Sequence, residues 1–350
     1  MGESLPAHND TTVGGTPAIP TQKDVALLAG VSPITVSRTL AGGKNVRPDV
    51  QQRVIDAVRQ LDYLPNENAR NLRPGQQSGL IGVAITNLSN PFYGTFALGV
   101  EEVVAERGRY ILLGSTAESA SRESDLVGNF LSRRVEGLIV IPAGEPAPRR
   151  WVRRLGSVPI VVAARELPDA DVDTVLMDDL STGRRLTEDL LQQGHRRIAF
   201  IGNIVTVSAH RHRYEGFEST MRNGGAAVDK RLVRGVTADV EDARTHARSF
   251  LDLAHPPTAI ISANNRISVG VLAEFRRRLD AGASADELPL LAAFDDLELA
   301  GLLRVPVRVY GSDPRELGRT AARLLFERLD GDADGPRRHL IVGDRMVSTS

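Results

Sequence analysis

The chain contains no cysteine, and this absence excludes several functional classes at once. Disulfide frameworks, thiolate metal sites and cysteine nucleophiles all require the missing residue. No apolar run is long enough to cross a bilayer, and residues 1–19 lack the basic start and apolar stretch of a secretory signal. We therefore predict a disordered leader at residues 1–19, no membrane span and a cytoplasmic protein.

The motifs of the common enzyme classes are missing as well. The sequence has no G-x-S-x-G elbow, no P-loop, no H-E-x-x-H and no cluster with metal-ligand spacing. Two histidines lie close together in "HRHR", His210 and His212, and we interpret them as solvated or pocket-rim residues of a basic loop. An enzyme is not expected, and no catalytic residue, metal or cofactor is predicted.

Charge is distributed unevenly along the 350 residues, although the net charge is only −1. Residues 20–78 carry eight basic and five acidic side chains, a local charge of +3, and the rest of the chain is mildly acidic. The length suggests two or three domains. A basic head on an acidic body is compatible with nucleic acid, but ordinary solvated surfaces show the same balance.

Three helical patterns follow the leader and predict a small all-α domain at residues 20–64. The first, "QKDVALLA", begins after Thr21 and ends at Gly30; the second begins after Ser32, with Pro33 at its first position. The third runs from Pro48 to about Tyr63. Apolar stripes are expected to close one core, formed by Val25, Leu28, Val36, Leu40, Val50, Val54, Val58 and Leu61.

The second helix has a further face that is not part of this core. Ile34 and Arg38 lie roughly opposite Val36 and Leu40, so an isoleucine and an arginine are exposed side by side. Two helices joined by the short turn "GVS" are typical of a helix-turn-helix, whose second helix enters the major groove of DNA. Ile34 suits a thymine methyl group, and Arg38 suits guanine O6 and N7.

Short polar side chains and the helix N-terminus surround this face and are suited to phosphate contacts, at Thr21, Ser32, Pro33, Thr35 and Ser37. The alternative for the hydroxyls is capping and surface solvation. For Arg38 the alternative is an exposed salt bridge.

The stretches "TQKDVALLAGVSPITVSRTL" and "VRPDVQQRVIDAVRQLDYLPNENARNLR" closely resemble the DNA-binding segment of the lactose/galactose repressor (LacI/GalR) family of bacterial transcription regulators. In that family a "YxPN" motif leads into a hinge that becomes helical on DNA, and a leucine wedges into the central minor groove. The resemblance implies a hinge and linker at residues 65–78, with DNA contacts from Asn66, Ala69 and the wedge Leu72. Glu67 and Asn68 depart from the small or apolar residues usual there.

Short apolar runs alternate with helical stretches from Gly79 onward: "LIGVAI", "YILLG", "GLIVI", "PIVVA", "RIAFIG", "TAIISA" and "PLLAAF". This pattern predicts a doubly wound α/β body with too many strands for one sheet, hence two lobes at residues 79–350. "SNPFY", "RYEGF" and "FDD" resemble landmarks of the family's effector domain, which is similar to periplasmic sugar-binding proteins. The resemblance implies one lobe at about 79–178 and 307–331, and another at about 179–306 and 332–350.

The resemblance also implies an effector site between the lobes, at the carboxyl ends of the strands. Carboxylate, amide and guanidinium groups can hold vicinal hydroxyls there while an aromatic ring covers the apolar face of a sugar. Asn90 or Asp295 could instead cap a helix, and Arg213 could pair with Glu215. Matched residue by residue, the effector-binding positions are Asn90, Phe92, Tyr93, Arg165, Arg213, Asn264 and Asp295.

Three positions depart from the family's usual pocket. Ala164 and Asn265 stand where aspartate is common, and Ser312 stands where glutamine is frequent. We therefore expect a cleft with fewer acceptors than is usual in the family. Such a cleft would bind a ligand with fewer hydroxyl donors, or one with a negative charge that Arg165 and Arg213 can hold, so a plain neutral monosaccharide is less favoured.

These inferences together predict a sequence-specific DNA-binding transcription regulator, a repressor controlled by a small effector between the lobes. Twofold protein symmetry would match a homodimer to a pseudo-palindromic operator in double-stranded DNA. Two alternatives remain. A periplasmic-type solute-binding protein would need an export signal and no helix-turn-helix, and a nonspecific DNA-binding protein would not need a polar cleft.

Overall fold

A computed structural model describes residues 20–40, 42–43, 45–64, 78–144, 149–168, 170–237, 239–295, 297, 305–331, 339–342 and 344–345. The chain divides into two compact units, residues 1–77 and 78–350, which we call the head and the body. The leader at 1–19 and the hinge positions Asn66, Ala69 and Leu72 lie outside the described residues. Among the described helices, none is both long and apolar enough to cross a membrane.

The head is built from three helices, α1 (Gln22–Ala29), α2 (Pro33–Leu40) and α3 (Pro48–Gln60). Leu28 was expected in the core but is 45% exposed, because it lies about 100° around the helix from Ala29. The smaller alanines face inward instead. The buried core consists of Val25, Ala26, Ala29, Val36, Val54, Ala57 and Tyr63.

Polar contacts fix α2 and α3 against α1. The Gln22 side chain donates to the Pro33 carbonyl at 2.6 Å, and the Arg53 guanidinium donates to the Ala29 carbonyl at 3.0 Å. Gly30 ends α1 in the left-handed region (φ 64°), which a glycine adopts without strain. These contacts hold the short α2, which could not be stable alone.

The first lobe of the body contains a six-stranded parallel sheet in the order β11-β5-β4-β3-β1-β2. Helix α4 (Pro91–Glu106) packs on one face and α5 (Ala120–Ser132) on the other, beside the short 3-10 helix Arg150–Arg154. The strands are β1 (Leu80–Ile85), β2 (Tyr110–Ser115), β3 (Gly137–Val140), β4 (Ile160–Ala163), β5 (Asp173–Met177) and β11 (His339–Val342).

The second lobe contains a sheet in the order β12-β10-β9-β8-β6-β7, in which only β12 runs antiparallel. Its strands are β6 (Ile198–Ile201), β7 (Val233–Arg234), β8 (Ala259–Ser262), β9 (Leu290–Phe294), β10 (Val307–Ser312) and β12 (Asp344–Arg345). Its helices are α6 (Asp179–Gln192), α7 (Ser208–Asn223), α8 (Val240–Leu251) and α9 (Asn265–Asp280). The predicted fold class, a helix-turn-helix head with a two-lobed α/β body, is confirmed.

The order of the described strands and helices changes from one lobe to the other three times. The chain leaves the first lobe after β5, at residue 178. The expected crossings near 306 and 332 are wrong, because β10 pairs with β9 in the second sheet and β11 pairs with β5 in the first. The chain therefore returns between Ser312 and Pro314, where α10 (Pro314–Leu329) begins its packing on the first lobe, and crosses again between β11 and β12.

Candidate functional site

The outward face of α2 carries the pair of residues that the sequence singled out. Ile34 is 66% exposed and Arg38 is exposed, whereas Val36 is fully buried and Leu40 is partly buried. A four-residue spacing places Ile34 and Arg38 one turn apart on the same side of the helix. The helix therefore presents an apolar group and a guanidinium together, and both types of group can contact base edges in the major groove.

Hydroxyl groups surround the start of this helix, and some of them also cap helices. The Ser32 hydroxyl accepts from the Thr35 backbone amide at 3.2 Å and lies 2.9 Å from the Thr35 hydroxyl. The Thr21 hydroxyl and backbone amide both donate to Asp24 at 2.7 Å, which lowers the pKa of that carboxyl. Thr21, Ser32 and the neighbouring Pro33 are exposed, and Thr35 and Ser37 are partly exposed. These side chains remain reachable at the surface of the head.

The body brings all seven predicted effector residues to one cleft between the lobes. They line a narrow space of about 40 Å³, which adjoins a wider space of about 310 Å³. The wider space lies within the size range of small-molecule sites. The seven are Asn90, Phe92, Tyr93, Arg165, Arg213, Asn264 and Asp295.

Several turns that lead from the strands into the cleft have unusual backbone. Ala117 and Glu118 after β2, Ala164 after β4 and Asp295 after β9 all have φ between 49° and 66°. Side chains other than glycine rarely adopt this left-handed conformation, and such residues cluster at functional sites. Packing around these strand ends therefore holds the turns in a conformation that the residues themselves disfavour.

On the first lobe, the charge of Arg165 is fully engaged. Its two terminal nitrogens donate to both carboxylate oxygens of Glu118 at 2.7 and 2.8 Å, to the Tyr93 hydroxyl at 2.9 Å and to the Pro142 carbonyl at 3.0 Å. These four bonds use all four terminal N–H groups. Burial disfavours the ionised Glu118, but the hydrogen bonds and charge of Arg165 outweigh it and lower the pKa of the carboxyl.

On the second lobe, Arg213 is held between two buried carboxylates. It donates to Asp179 at 2.7 Å and to the Ala263 carbonyl at 2.6 Å, and it lies 3.5 Å from Asp295. The guanidinium also lies over the Phe294 ring, 4.6 Å from its centroid. Burial raises the pKa of both aspartates, and the arginine charge opposes that shift. The alternative pairing of Arg213 with Glu215 is not what the structure shows.

Two glycines allow this arrangement by bringing α6 and α7 close together. A Cβ on Gly183 would lie 2.4 Å from the Arg213 carbonyl oxygen, and a Cβ on Gly216 would lie 2.5 Å from that of Leu180. Any larger residue would push the helices apart. The close crossing is what places Asp179, at the start of α6, against Arg213 on α7.

Amide and aromatic groups complete the cleft. Asn90 and Asn264 cap α4 and α9, where each side-chain oxygen accepts a backbone amide at 2.9 Å, from Phe92 and Ile267. The Phe92 and Tyr93 rings meet edge to face, with centroids 5.2 Å apart. The helix-capping alternative for Asn90 is therefore present, and it does not remove Asn90 from the cleft wall.

Sequence reasoning did not name Glu118 and Asp179, and it gave His210 no effector contact. Glu118 and Asp179 supply carboxylates that line the cleft, and the expectation of a cleft with fewer acceptors did not count them. Glu118 lies three residues after the predicted strand β2, which is the signal that could have found it, whereas Asp179 follows β5, a strand that the sequence did not reveal. His210 was assigned to a basic loop, but it is a buried residue of α7.

Comparisons with known proteins agree on both units. A family model described as bacterial regulatory proteins, lacI family, matches residues 21–66, and another, periplasmic binding proteins and sugar binding domain of LacI family, matches residues 78–348. The HTH-type transcriptional repressor CytR of Escherichia coli K12 is 26% identical, with 93% of each chain covered. The ribose operon repressor of the same organism is 30% identical over 88% of this chain and 93% of its own.

A solved structure, a complex of the transcriptional regulator CelR with cellobiose, is also similar. Its TM-score is 0.69 at 26% identity, and the alignment covers 94% of this chain and 98% of the other.

Proposed function

This chain belongs to the LacI family of bacterial regulatory proteins and is a DNA-binding transcription regulator, and we propose that it is a repressor whose operator binding is controlled by a neutral, hydroxyl-rich effector in the cleft. The observation that carries the proposal is the exposed pair Ile34 and Arg38 on α2, in the same chain as a polar cleft. A solute-binding protein has no use for the first feature, and a nonspecific DNA-binding protein has no use for the second.

On DNA, Arg38 reads a guanine and Ile34 a thymine methyl group, while Thr21, Ser32, Thr35, Ser37 and the helix start at Pro33 contact phosphates. Two heads of a homodimer meet the two halves of a pseudo-palindromic operator. Asn66, Ala69 and the wedge Leu72 of the hinge lie outside the described residues, and their roles in the minor groove belong to this proposal.

In the cleft, the pairing of both arginines favours a neutral effector over an anion. Arg165 is balanced by Glu118, and Arg213 is balanced by Asp179 and Asp295. An anionic ligand would have to compete with these carboxylates, whereas a sugar can hydrogen-bond to the pairs as they stand. The cellobiose bound to the similar regulator CelR is a ligand of this chemical class.

The groups of the cleft bind and orient rather than react. Relatives of this chain are named as repressors, and the cleft charges compensate one another instead of activating a nucleophile. We therefore propose a binding protein without catalytic activity. A regulator of transcription acts on the chromosome, so we place it in the cytoplasm.

The test begins with the selection of DNA duplexes from a random pool by the full chain. An inverted repeat should be enriched, and its binding should exceed that of random DNA at the same salt concentration. Operator binding is then measured with D-ribose, D-cellobiose and other neutral sugars. Release or tightening by one of them supports an effector of this class.

Two results would contradict the proposal. Equal binding to all duplexes would indicate a nonspecific DNA-binding protein. Operator binding that responds only to phosphorylated or carboxylated compounds would show that the ligand class is anionic.

A further inference from the structure

His210 is the buried titratable residue of the cleft that the pairing of charges leaves unexplained. It lies on α7, is 7% exposed and lines both the narrow and the wider space. Its two ring nitrogens contact groups of different chemistry. Those contacts determine which nitrogen carries the proton.

The Nδ1 atom faces a backbone amide. The amide nitrogen of Asn203 lies 3.0 Å from it with hydrogen-bond geometry, and a backbone amide can only donate. Nδ1 must therefore be the unprotonated acceptor. Burial, together with the charges of Arg213 and Arg165, holds the pKa of His210 well below its ordinary range, so the ring is neutral and its one proton is on Nε2.

The Nε2 atom faces the side-chain amide of Asn264. The oxygen of that amide already accepts from the Ile267 backbone amide at 2.9 Å, so the group that faces the ring is the NH₂. Its nitrogen lies 3.3 Å from Nε2 of His210. Two N–H donors thus meet without an acceptor between them.

The opposite tautomer does not remove the conflict. With the proton on Nδ1, Asn264 could donate to Nε2, but the Nδ1 proton would then oppose the Asn203 amide proton at the shorter of the two distances. A partly buried backbone amide without an acceptor is costly, whereas the Asn264 amide faces a space that a ligand can enter. The Nε2–H form is therefore favoured.

We propose that Nε2–H of His210 and the NH₂ of Asn264 form a donor pair that recognises one acceptor atom of the effector, and that His210 is a specificity-determining residue. This inference rests on the proposed function, because it takes the cleft as the effector site. A hydroxyl oxygen can accept from both donors. Asp295 lines the narrow space, and its buried Oδ1 lies 3.5 Å from Arg213 without a hydrogen-bond partner among the described residues, so a hydroxyl proton of the effector can be donated to this ion pair.

The protonation state is tested by nuclear magnetic resonance on the full chain with ¹⁵N-labelled histidine. The signal of His210 is assigned by its loss in the variant His210→Asn. We expect a neutral ring with the proton on Nε2 in the absence of ligand at neutral pH. A proton on Nδ1, or a charged ring, would overturn the donor pair.

The effector contact is tested with the same variant. The Asn side-chain oxygen can replace Nδ1 as the acceptor for the Asn203 amide, while the Nε2 donor is lost. For the neutral sugar that the wild type binds most tightly in calorimetry, the Kd should rise about tenfold. The control His246→Asn changes a histidine of α8 that does not line the cleft, and it should leave the Kd unchanged.

Deoxy analogues of that sugar separate a direct contact from a structural effect. Removal of one particular hydroxyl should weaken binding to the wild type about tenfold and binding to His210→Asn hardly at all. If every analogue loses the same factor in both proteins, His210 does not contact the effector. If no neutral sugar binds the wild type, the proposed effector class fails, and the resonance experiment still decides the donor pair independently.

Discussion

The two candidate sites present their arginines in opposite ways. On the head, Arg38 is exposed on α2 and forms no ion pair with any residue that the structure describes. In the body, Arg213 is 5% exposed, contacts two buried aspartates and lies over an aromatic ring. An arginine is thus available to a binding partner in the head, whereas in the body the charge of an arginine is neutralised by neighbouring carboxylates.

This difference reflects what each site is expected to meet. DNA supplies its own negative charge and acceptor groups, so a reading arginine needs no partner in the free protein. A neutral effector cannot compensate a buried guanidinium, so the protein must do so itself. Replacement of Arg38 should therefore affect DNA binding alone. Replacement of Arg213 should affect both the stability of the body and its response to effector.

The largest effect is expected for Arg213→Ala. This change leaves Asp179 and Asp295 buried without their cation, which should lower the free energy of unfolding of the body by about 3–5 kcal/mol. Urea unfolding at neutral pH measures the loss. Arg222→Ala, on the same helix but with a side chain 74% exposed, should change it by less than about 0.5 kcal/mol.

The variant Arg213→Ala should also lose its response to effector while it still binds the operator. Wild-type stability with a wild-type response would show that this arginine is neither a structural nor a binding residue, and the contrast between the two units would fail.

The next effect is expected for Arg38→Ala, on binding only. The loss of two hydrogen bonds to guanine should cost about 1–3 kcal/mol at the selected operator and relax the preference at one base pair. Thermal unfolding of the variant should match the wild type. Arg38→Lys is the matched control, because it keeps the charge but not the bidentate geometry; it should lose operator affinity and keep its affinity for random DNA. Equal losses on both DNAs would argue against direct base reading.

A smaller effect is expected for Glu118→Gln on the first lobe. Its side chain is 44% exposed, so the free energy of unfolding should fall by only about 1 kcal/mol. The change also leaves Arg165 without its carboxylate. Calorimetry should show that D-ribose 5-phosphate gains affinity relative to D-ribose in this variant. A wild type that already prefers the phosphate would contradict the idea that Arg165 is neutralised.

The smallest effect is a dependence of stability on pH. Burial, with nearby arginine charges, lowers the pKa of His210 in the folded body, whereas the unfolded chain has a value near 6.5. The unfolded state therefore binds more protons as the pH falls below about 6.5, and the stability linked to this group is complete above that pH and is lost below it. Unfolding measured between about pH 5.5 and about pH 8 should show a steeper loss for the wild type than for His210→Asn. Parallel curves would mean that His210 is protonated equally in both states.

Seven strands could be predicted because each is an uninterrupted apolar run. Strand β5 was missed because it begins with Asp173, whose charge is neutralised by Arg328 from α10, 155 positions along the chain. Strand β10 was missed for a similar reason, since Arg308 and Tyr310 both contact Asp189 on α6. A polar residue inside a strand gives no sign of its distant partner. The lobe boundaries failed at β10 and at β11, which pairs with β5 in the first sheet.

The cleft was predictable in its location and less so in its chemistry. The resemblance supplied seven residues, and all seven line one space. It could not supply Glu118, Asp179 and His210, because their roles depend on contacts between strand ends and on the close crossing at Gly183. The net charge of the cleft depends on these carboxylates as well as on the arginines, so it could not be predicted from the arginines alone.

The return of α10 to the first lobe has a consequence for biosynthesis. Leu317, Ala321 and Leu325 of this helix are fully buried against a sheet whose first strand begins at Leu80. During translation the entire second lobe, except β12, is made in between. The nascent first lobe must therefore wait, with an apolar face open to solvent or to a chaperone, until residues 314–329 have left the ribosome.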